Sequence, residues 1–210
     1  MTLNYGALLA GRRALIAGSA SEIGRAVASL FSAHGVVDAV AYTEEEAARI
    51  INEAKAANSP IDIFVSIMSV DDCDFRRLLD LNVLSVIRLT KLLIPGMCEN
   101  ARGDIVHIIA DAGSFRAREH TAAMAACAGA ISAFSRCVTM DYIRYRVRSN
   151  CVAYPIGGLP RRKPLLNEPT PEDAANAALW YACDLSRFII GDTLPVEGGQ
   201  VYSAGGGATA

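Results

Sequence analysis

Short apolar runs alternate with longer amphipathic stretches along almost the whole chain. The apolar runs have the length of buried strands, and the amphipathic stretches repeat apolar residues at helical spacing. Strands are predicted at residues 13–18, 36–42, 61–68, 104–110, 150–155 and 193–196, and helices at 22–34, 44–57, 71–97, 122–146 and 171–184. Such alternation is typical of βα units, so we predict an α/β fold built around a parallel sheet.

The composition indicates one globular domain over residues 1–210. The 210 residues are 52% hydrophobic and 20% charged, without an internal repeat or a long linker. A net charge of −2 gives no electrostatic reason to expect nucleic acid, and no apolar run reaches the roughly 18 residues of a transmembrane helix. The six cysteines are widely spaced and form no CxxC pair. We therefore expect reduced thiols, no metal site, no membrane contact and a cytoplasmic location.

Six segments carry motifs at the ends of predicted strands and within one helix. They are Gly18–Gly24, Ile61–Ser69, Asn82 with Thr90, Gly103–Gly113, Asn150–Gly157 and Ile190–Gly199. In this order they resemble the TGxxxGIG, IDxLVNNAG, NxxxxxxxT, GxIVxISSxxG, VNxxxPG and ITGxxxxVDGG motifs of the short-chain dehydrogenase/reductase family. Because the resemblance covers about residues 8–203, the chain is identified as a member of that family. The resemblance implies a three-layer, Rossmann-like, doubly wound parallel sheet.

The resemblance also locates the positions at which the family performs its chemistry. Its members hold the substrate oxygen with a Ser, transfer a proton with a Tyr thirteen positions later, and lower the pKa of that Tyr with a Lys four residues beyond. Counted from Gly113, these positions are Ala110, Ala123 and Cys127. A methyl group cannot transfer a proton, and a thiol supplies no fixed positive charge. We predict no catalytic residue, and we interpret Asn82, the one retained member of the set, as a structural amide.

The residues that would hold the cofactor are altered as well. In the loop formed by Gly18, Glu22 and Gly24, Glu22 replaces the glycine that in the family lets the backbone approach the dinucleotide pyrophosphate. A carboxylate facing that group is repelled by about 3 kcal/mol per charge pair at ~5 Å and an effective dielectric constant of ~20. Before the strand at 61–68 the chain has room for one βα unit, where the family has two. We predict one βα unit fewer than usual, no cofactor in this chain, and NAD in a partner subunit.

The elements that the family uses for assembly are retained. Its members pair two long helices between subunits in a four-helix bundle, here predicted at 71–97 and 122–146, and form a second contact through the last helix and the C-terminal strand. The run Ala122–Ala130 consists almost entirely of small residues, which let helices approach closely. Lost chemistry with retained interfaces predicts a pseudoenzyme subunit, which stabilises an active NAD-dependent short-chain alcohol dehydrogenase in a hetero-oligomer.

Two other functions stay open from the sequence. The first is an enzyme with replaced chemistry, in which Cys127 is the nucleophile and Asp111 and His107 lie near the same strand end. Alternation along the strand places His107 on the face opposite Ala110, and a buried cysteine among alanines is normally inert. The second is a sensor that binds a nucleotide or a CoA thioester in the remaining cleft without catalysis.

Overall fold

The computed structural model describes residues 6–18, 20–41, 43–70, 74–112, 120–156 and 167–199. One parallel sheet contains β1 (Arg13–Ala17), β2 (Val37–Ala41), β3 (Ile63–Ile67), β4 (Gly103–Ala110), β5 (Val147–Tyr154) and β6 (Thr193–Pro195), in the order β2-β1-β3-β4-β5-β6. The helices are α1 (Glu22–Ala33), α2 (Glu44–Ala56), α3 (Phe75–Leu79), α4 (Ser85–Glu99), α5 (Ala122–Tyr142) and α6 (Pro171–Ala182). The predicted doubly wound, Rossmann-like sheet with one βα unit fewer than usual is confirmed.

Two apolar layers enclose the sheet. Helices α1 and α6 cover one face, where Phe31 and Tyr181 pack in the same cluster as Ile16 of β1. Helices α2, α4 and α5 cover the other face, where Met97 and Ile131 pack in a cluster with residues of all the central strands. Every residue of β3, β4 and β5 is buried. This explains the apolar character of the predicted strands, since a parallel sheet is covered on both faces.

The long helix predicted at 71–97 is divided. A π-helical turn, Asp80–Leu84, separates α3 from α4, and the helical segment continues to Glu99. Its first turn is capped by Asp74, whose carboxylate accepts from the backbone N–H of Arg77 at 3.0 Å. Residues 71–73 lie outside the described residues. The prediction missed the π-helical turn because one widened turn barely disturbs the spacing of apolar residues.

The long helix predicted at 122–146 ends earlier. Helix α5 stops at Tyr142, a 3₁₀ turn follows at Ile143–Tyr145, and Arg146 adopts a left-handed conformation with φ of 61°. A left-handed residue after a helix is usually a glycine. Arginine at this position gave no sign in the sequence that the helix ends here.

A buried cluster of charges ties α6 to the sheet. Arg12 precedes β1, Asp104 lies at the start of β4, and Arg148 lies at the start of β5. The Asp104 carboxylate contacts Arg12 Nη1 at 2.7 Å and Arg148 Nη2 at 2.6 Å. The two guanidinium groups also donate to the carbonyl oxygens of Ala182, at 2.5 Å, and Tyr181, at 2.9 Å. The cluster therefore joins the amino ends of three strands to the end of α6.

Candidate functional site

An open cleft of about 450 Å³ lies at the carboxyl ends of β1, β2 and β3. The strand order reverses between β1 and β3, and ligands of open α/β sheets bind at such a switch point. The cleft is bordered by the β1–α1 turn (Gly18), the start of α2 (Thr43, Glu44), the end of β3 (Ser66, Ile67) and the π-helical turn (Asp80, Asn82).

The β1–α1 turn keeps a tight conformation that requires glycine. Gly18 has φ of 87°, and a Cβ at this position would lie 2.8 Å from the carbonyl oxygen of Ile67. Ser21 caps α1, because its Oγ accepts from the backbone N–H of Gly24 at 3.0 Å and donates to the carbonyl oxygen of Gly18 at 2.9 Å. The turn therefore keeps its shape, while the Gly24 amide is already bonded within the protein.

The Glu22 side chain lies in the first turn of α1, directly after the β1–α1 turn. Glu22 is exposed in the first turn of α1, where the helix dipole favours an acidic residue. It borders a groove between α1 and α6 together with Arg25 and Glu172, and it is not among the residues that line the cleft. The carboxylate therefore complements the dipole at the start of α1.

The three positions that correspond to the family's Ser, Tyr and Lys lie in or against one apolar cluster, on the face of the sheet that α2, α4 and α5 cover. Ala110 is buried at the end of β4, and Cys127 is buried in α5. Ala123 lies one turn before Cys127 and packs against the apolar cluster that contains the other two residues. The spacing of the motifs thus leads to positions in one apolar layer, and the side chains found there are two methyl groups and a thiol.

The thiol of Cys127 is a poor nucleophile in this environment. Burial raises the pKa of Cys127 above its usual value, because the thiolate would lose its solvation. The protonated form therefore predominates at neutral pH, whereas nucleophilic attack needs the thiolate. Asp111, the acidic residue beside Ala110, is buried just beyond β4, and its backbone N–H donates to the carbonyl oxygen of Tyr154 at 3.1 Å.

His107 and Ser66 form a buried pair that the sequence analysis did not find. The Nδ1 atom of His107 lies 2.7 Å from the Oγ atom of Ser66, and the two residues are register partners in the β3–β4 ladder. The His107 ring lies near the rings of Phe64 and Phe134, with centroids 6.3 Å and 6.4 Å away. Burial lowers the pKa of His107 to about 3, so the ring is neutral at physiological pH. Two polar residues within otherwise apolar strands were the available signal for this pair.

The alternation along β4 was expected to point His107 away from Ala110 and from the site, but His107 lies on the face that α5 covers. His107 contacts the ring of Phe134, which belongs to α5, and Ala110 packs in the cluster that α5 forms with the sheet. Ala110 is the last residue of β4, and its ladder partner Tyr154 packs in the cluster on the other face of the sheet.

Asn82 fixes the backbone beside the cleft. It is buried in the π-helical turn, and its Oδ1 accepts from the backbone N–H of Ser69 at 2.7 Å. Its Nδ2 donates to the carbonyl oxygen of the same residue at 2.9 Å. The amide thereby links the π-helical turn to the segment that follows β3, which gives it a structural role.

Substituting Asn82 by alanine is expected to lower the free energy of unfolding by about 1–2 kcal/mol, because two hydrogen bonds to Ser69 are lost together. Urea unfolding followed by circular dichroism measures the change. The matched control is Asn100→Ala, which removes one exposed amide that donates to the Gly96 carbonyl oxygen. Equal stability of the two variants would contradict the role given to Asn82.

An ion-pair network crosses the edge of the cleft. Arg88 of α4 contacts the carboxylates of Glu44, at 3.1 Å, and Asp80, at 3.2 Å. Both carboxylates raise the pKa of Arg88, with Glu44 the stronger influence. Glu44 begins α2 and Asp80 begins the π-helical turn, so the network connects two elements that border the cleft.

Two broader features bear on the class of site. Within the described ranges, no group of three or more His, Cys, Asp and Glu side chains is placed to hold a metal ion. The segment Ala122–Tyr145 is long and apolar enough to cross a membrane by length and composition, a test that the core helix of a soluble protein also passes. Here α5 packs on β4 and β5.

Comparison with known proteins gives relatives along most of the chain. A family model described as short chain dehydrogenase matches residues 56–157. An uncharacterized short-chain type dehydrogenase/reductase from Sinorhizobium fredii is 24% identical, over 92% of this chain and 99% of the relative. The 2-keto-3-deoxy-L-fuconate dehydrogenase of Xanthomonas campestris is 25% identical, over 91% of this chain and 80% of the relative.

Solved structures share the fold. A gluconate 5-dehydrogenase from Burkholderia cenocepacia, in complex with NADP and tartrate, has a TM-score of 0.80 at 24% identity and covers 93% of this chain and 97% of its own. An enoyl-(acyl-carrier-protein) reductase from Anaplasma phagocytophilum, in complex with NAD, has a TM-score of 0.81 at 18% identity, with 95% and 97% covered. The chain is thus similar to short-chain dehydrogenases in sequence over residues 56–157, and it shares the fold of the solved structures along most of its length.

Proposed function

We propose that this chain is a catalytically inactive subunit of a hetero-oligomeric short-chain alcohol dehydrogenase, and that an active NAD-dependent partner subunit carries the cofactor. The observation that carries this proposal is the chemistry of the three positions that correspond to the family's Ser, Tyr and Lys. Ala110 and Ala123 supply methyl groups, and Cys127 supplies a buried thiol whose pKa is raised. None of these side chains can exchange a proton with a substrate at neutral pH.

Alcohol oxidation explains why this loss matters. The alcohol gives a hydride to the nicotinamide and a proton to a base, which must lie within hydrogen-bond reach of the hydroxyl group. His107 is the nearby titratable side chain on β4, but its pKa of about 3 and its full burial make it a weak base without access to a substrate. The relatives with dehydrogenase names therefore suggest the ancestry of this chain, and its own side chains argue against the reaction.

Helices α4 and α5 supply the surface for the proposed assembly. Along α5, exposed apolar side chains recur at helical spacing, namely Ala122, Ala126, Ala133, Cys137 and Met140. At Gly129, on the same helix, a Cβ would meet no atom within 4 Å. Leu84 and Leu92 are exposed on the neighbouring helical segment. A partner with matching long helices would bury this apolar surface, and the small side chains allow close contact.

A second apolar surface follows α6. Leu185 and Ile190 are both exposed, with 55% and 46% of their surfaces open to solvent. The last helix and β6 lie beside this segment in the chain. We assign this surface to the second subunit contact that the family resemblance implies.

The pattern of lost residues also resembles one particular heteromer of the family. In the heterotetrameric 2-[hydroxy(phenyl)methyl]succinyl-CoA dehydrogenase of anaerobic toluene degradation, an inactive subunit accompanies a partner that binds NAD and oxidises the alcohol to a ketone. We propose the same division of labour for this chain, with a cytoplasmic location.

Co-expression with an intact short-chain dehydrogenase encoded beside this chain tests the assembly. We expect one complex in gel filtration, and we expect Ala126→Arg and Met140→Arg to divide it into separate proteins, because the bulky charge enters the exposed face of α5. The matched control is Ala56→Arg at the exposed end of α2, which should leave the complex intact. Two separately eluting wild-type proteins, with the dehydrogenase fully active alone, would refute the proposal.

A second candidate function, ligand binding without catalysis, is favoured by the open cleft of about 450 Å³ with its retained Gly18 turn. Calorimetry of the isolated chain with NADH, NADPH and CoA distinguishes the two. Saturable binding of one of these compounds that is lost in Leu81→Glu, at the exposed border of the cleft, would support the second candidate, and the absence of such binding supports a purely assembling subunit.

A further inference from the structure

A separate pocket of about 530 Å³ lies near the amino ends of β4 and β5. The cleft lies at the other end of the strands, beyond their carboxyl ends. It is formed by the segment between α4 and β4, the turn after α5 and the 3₁₀ turn after α6. The charged residues that line it are Arg102, Asp104, Arg146, Arg148, Asp184 and Arg187. The proposed function uses none of these residues.

The pocket carries an excess of positive charge. Its lining contains four arginines and two aspartates, although the whole chain has a net charge of −2. Asp104 already contacts two buried guanidinium groups, those of Arg12 and Arg148, so that buried cluster retains a positive charge of its own. Asp184 is the other carboxylate of the lining.

Three guanidinium groups at this pocket have no acidic partner within the part of the chain that the structure describes. Arg102, Arg146 and Arg187 are all exposed. Each follows the end of a helical segment, where the helix dipole favours a cation, but a dipole corresponds to only about half a charge. The dipoles therefore explain the presence of arginines and leave their charge largely uncompensated.

We propose that this pocket binds a phosphate-bearing small molecule, whose phosphate group lies among Arg102, Arg146 and Arg187. The planar guanidinium group donates paired hydrogen bonds to phosphate oxygens, and a doubly charged phosphate matches the net charge of the lining. Phe188 borders the same pocket and is largely exposed, with the Arg187 guanidinium 5.3 Å from the centre of its ring. The exposed ring offers a surface on which a planar organic group attached to the phosphate can stack.

Calorimetry of the full chain at low ionic strength, with sodium pyrophosphate and with ADP as probes, tests the site. Both probes are expected to bind saturably, and Arg146→Gln and Arg187→Gln are each expected to weaken binding about tenfold, through loss of charge-assisted hydrogen bonds. The matched control is Arg49→Gln, an exposed arginine of α2 that contacts Glu53 and should leave both affinities unchanged. Arg49, Arg146 and Arg187 are all exposed, so the three variants should fold, and circular dichroism checks that they do.

The two probes also identify the source of the phosphate. Tighter binding of ADP that is lost in Phe188→Ala supports an organic phosphate, and equal affinities support a free inorganic anion in the same site. Absence of saturable binding by both probes would overturn the proposal. So would binding that is unchanged in Arg146→Gln and Arg187→Gln, because that binding would then occur elsewhere, for example in the cleft.

Discussion

Substituting Asp104 by asparagine is expected to lower the free energy of unfolding by about 3–5 kcal/mol. The carboxylate accepts from two buried arginines, Arg12 at 2.7 Å and Arg148 at 2.6 Å. Asparagine keeps the size of the side chain but removes the negative charge, so two guanidinium groups remain buried without a counter-ion. The large effect comes from those unpaired charges and exceeds the net contribution of the intact cluster.

A surface ion pair of equal length provides the control. Arg49 and Glu53 on α2 also approach to 2.7 Å, but both side chains are 62% exposed. Glu53→Gln should therefore change the free energy of unfolding by less than about 1 kcal/mol, because water solvates the arginine that remains. Urea unfolding of both variants measures the contrast. If Asp104→Asn destabilises the chain no more than Glu53→Gln does, the burial of the cluster has no energetic consequence and this explanation fails.

The second large effect is a dependence of stability on pH that arises from His107. Its pKa is about 3 in the folded chain, because the ring is buried, and ~6.5 in an unfolded chain. Between these values the unfolded chain binds a proton that the folded chain does not bind. Proton uptake therefore favours the unfolded chain in this range. The free energy of unfolding has its full value above pH ~6.5, and the His107 effect lowers it by about 1.4 kcal/mol per pH unit as the pH falls towards 3.

The variant His107→Asn is expected to remove this slope, since an amide can still bond to Ser66 but does not titrate. Free energies of unfolding measured in urea at several pH values between 4 and 6.5 give the slopes of both proteins. The smaller side chain also loses packing, which lowers the free energy of unfolding by the same amount at every pH. Comparing the slopes removes this constant difference. His120→Asn is the control, because His120 is exposed and its left-handed conformation, with φ of 59°, also suits asparagine. An unchanged slope in His107→Asn would show that the ring is protonated in the folded state.

The regular part of the fold could be predicted from the sequence, because strands that are buried on both faces have apolar residues at consecutive positions. Every predicted strand and helix has a counterpart, and the missing βα unit is readable from the length between Gly24 and Ile61. The π-helical turn was missed because Asp80–Leu84 keeps nearly the helical spacing of apolar residues. The end of α5 was missed because Arg146, and no glycine, adopts the left-handed conformation.

The site was predictable to the extent that it depends on position along the chain. The motif spacing leads to Ala110, Ala123 and Cys127, which all lie in or against the apolar cluster on the α5 face of the sheet. The direction of a side chain depends on local packing, and here the sequence was a weaker guide. His107, which the alternation pointed away from the site, lies on the face of the sheet that α5 covers.

Strand β2 forms one edge of the sheet, and its first residue, Val37, is 61% exposed. A βα unit lost from this side leaves the ladders between β1, β3, β4 and β5 complete, since each of these strands keeps two neighbours. The short edge, five residues long, also limits pairing with other chains. A fold of this kind can therefore lose a βα unit at the edge of its sheet during evolution while the central strands still fold. In such a fold, the capacity to persist as a stable protein and the capacity to hold a nucleotide can be inherited separately.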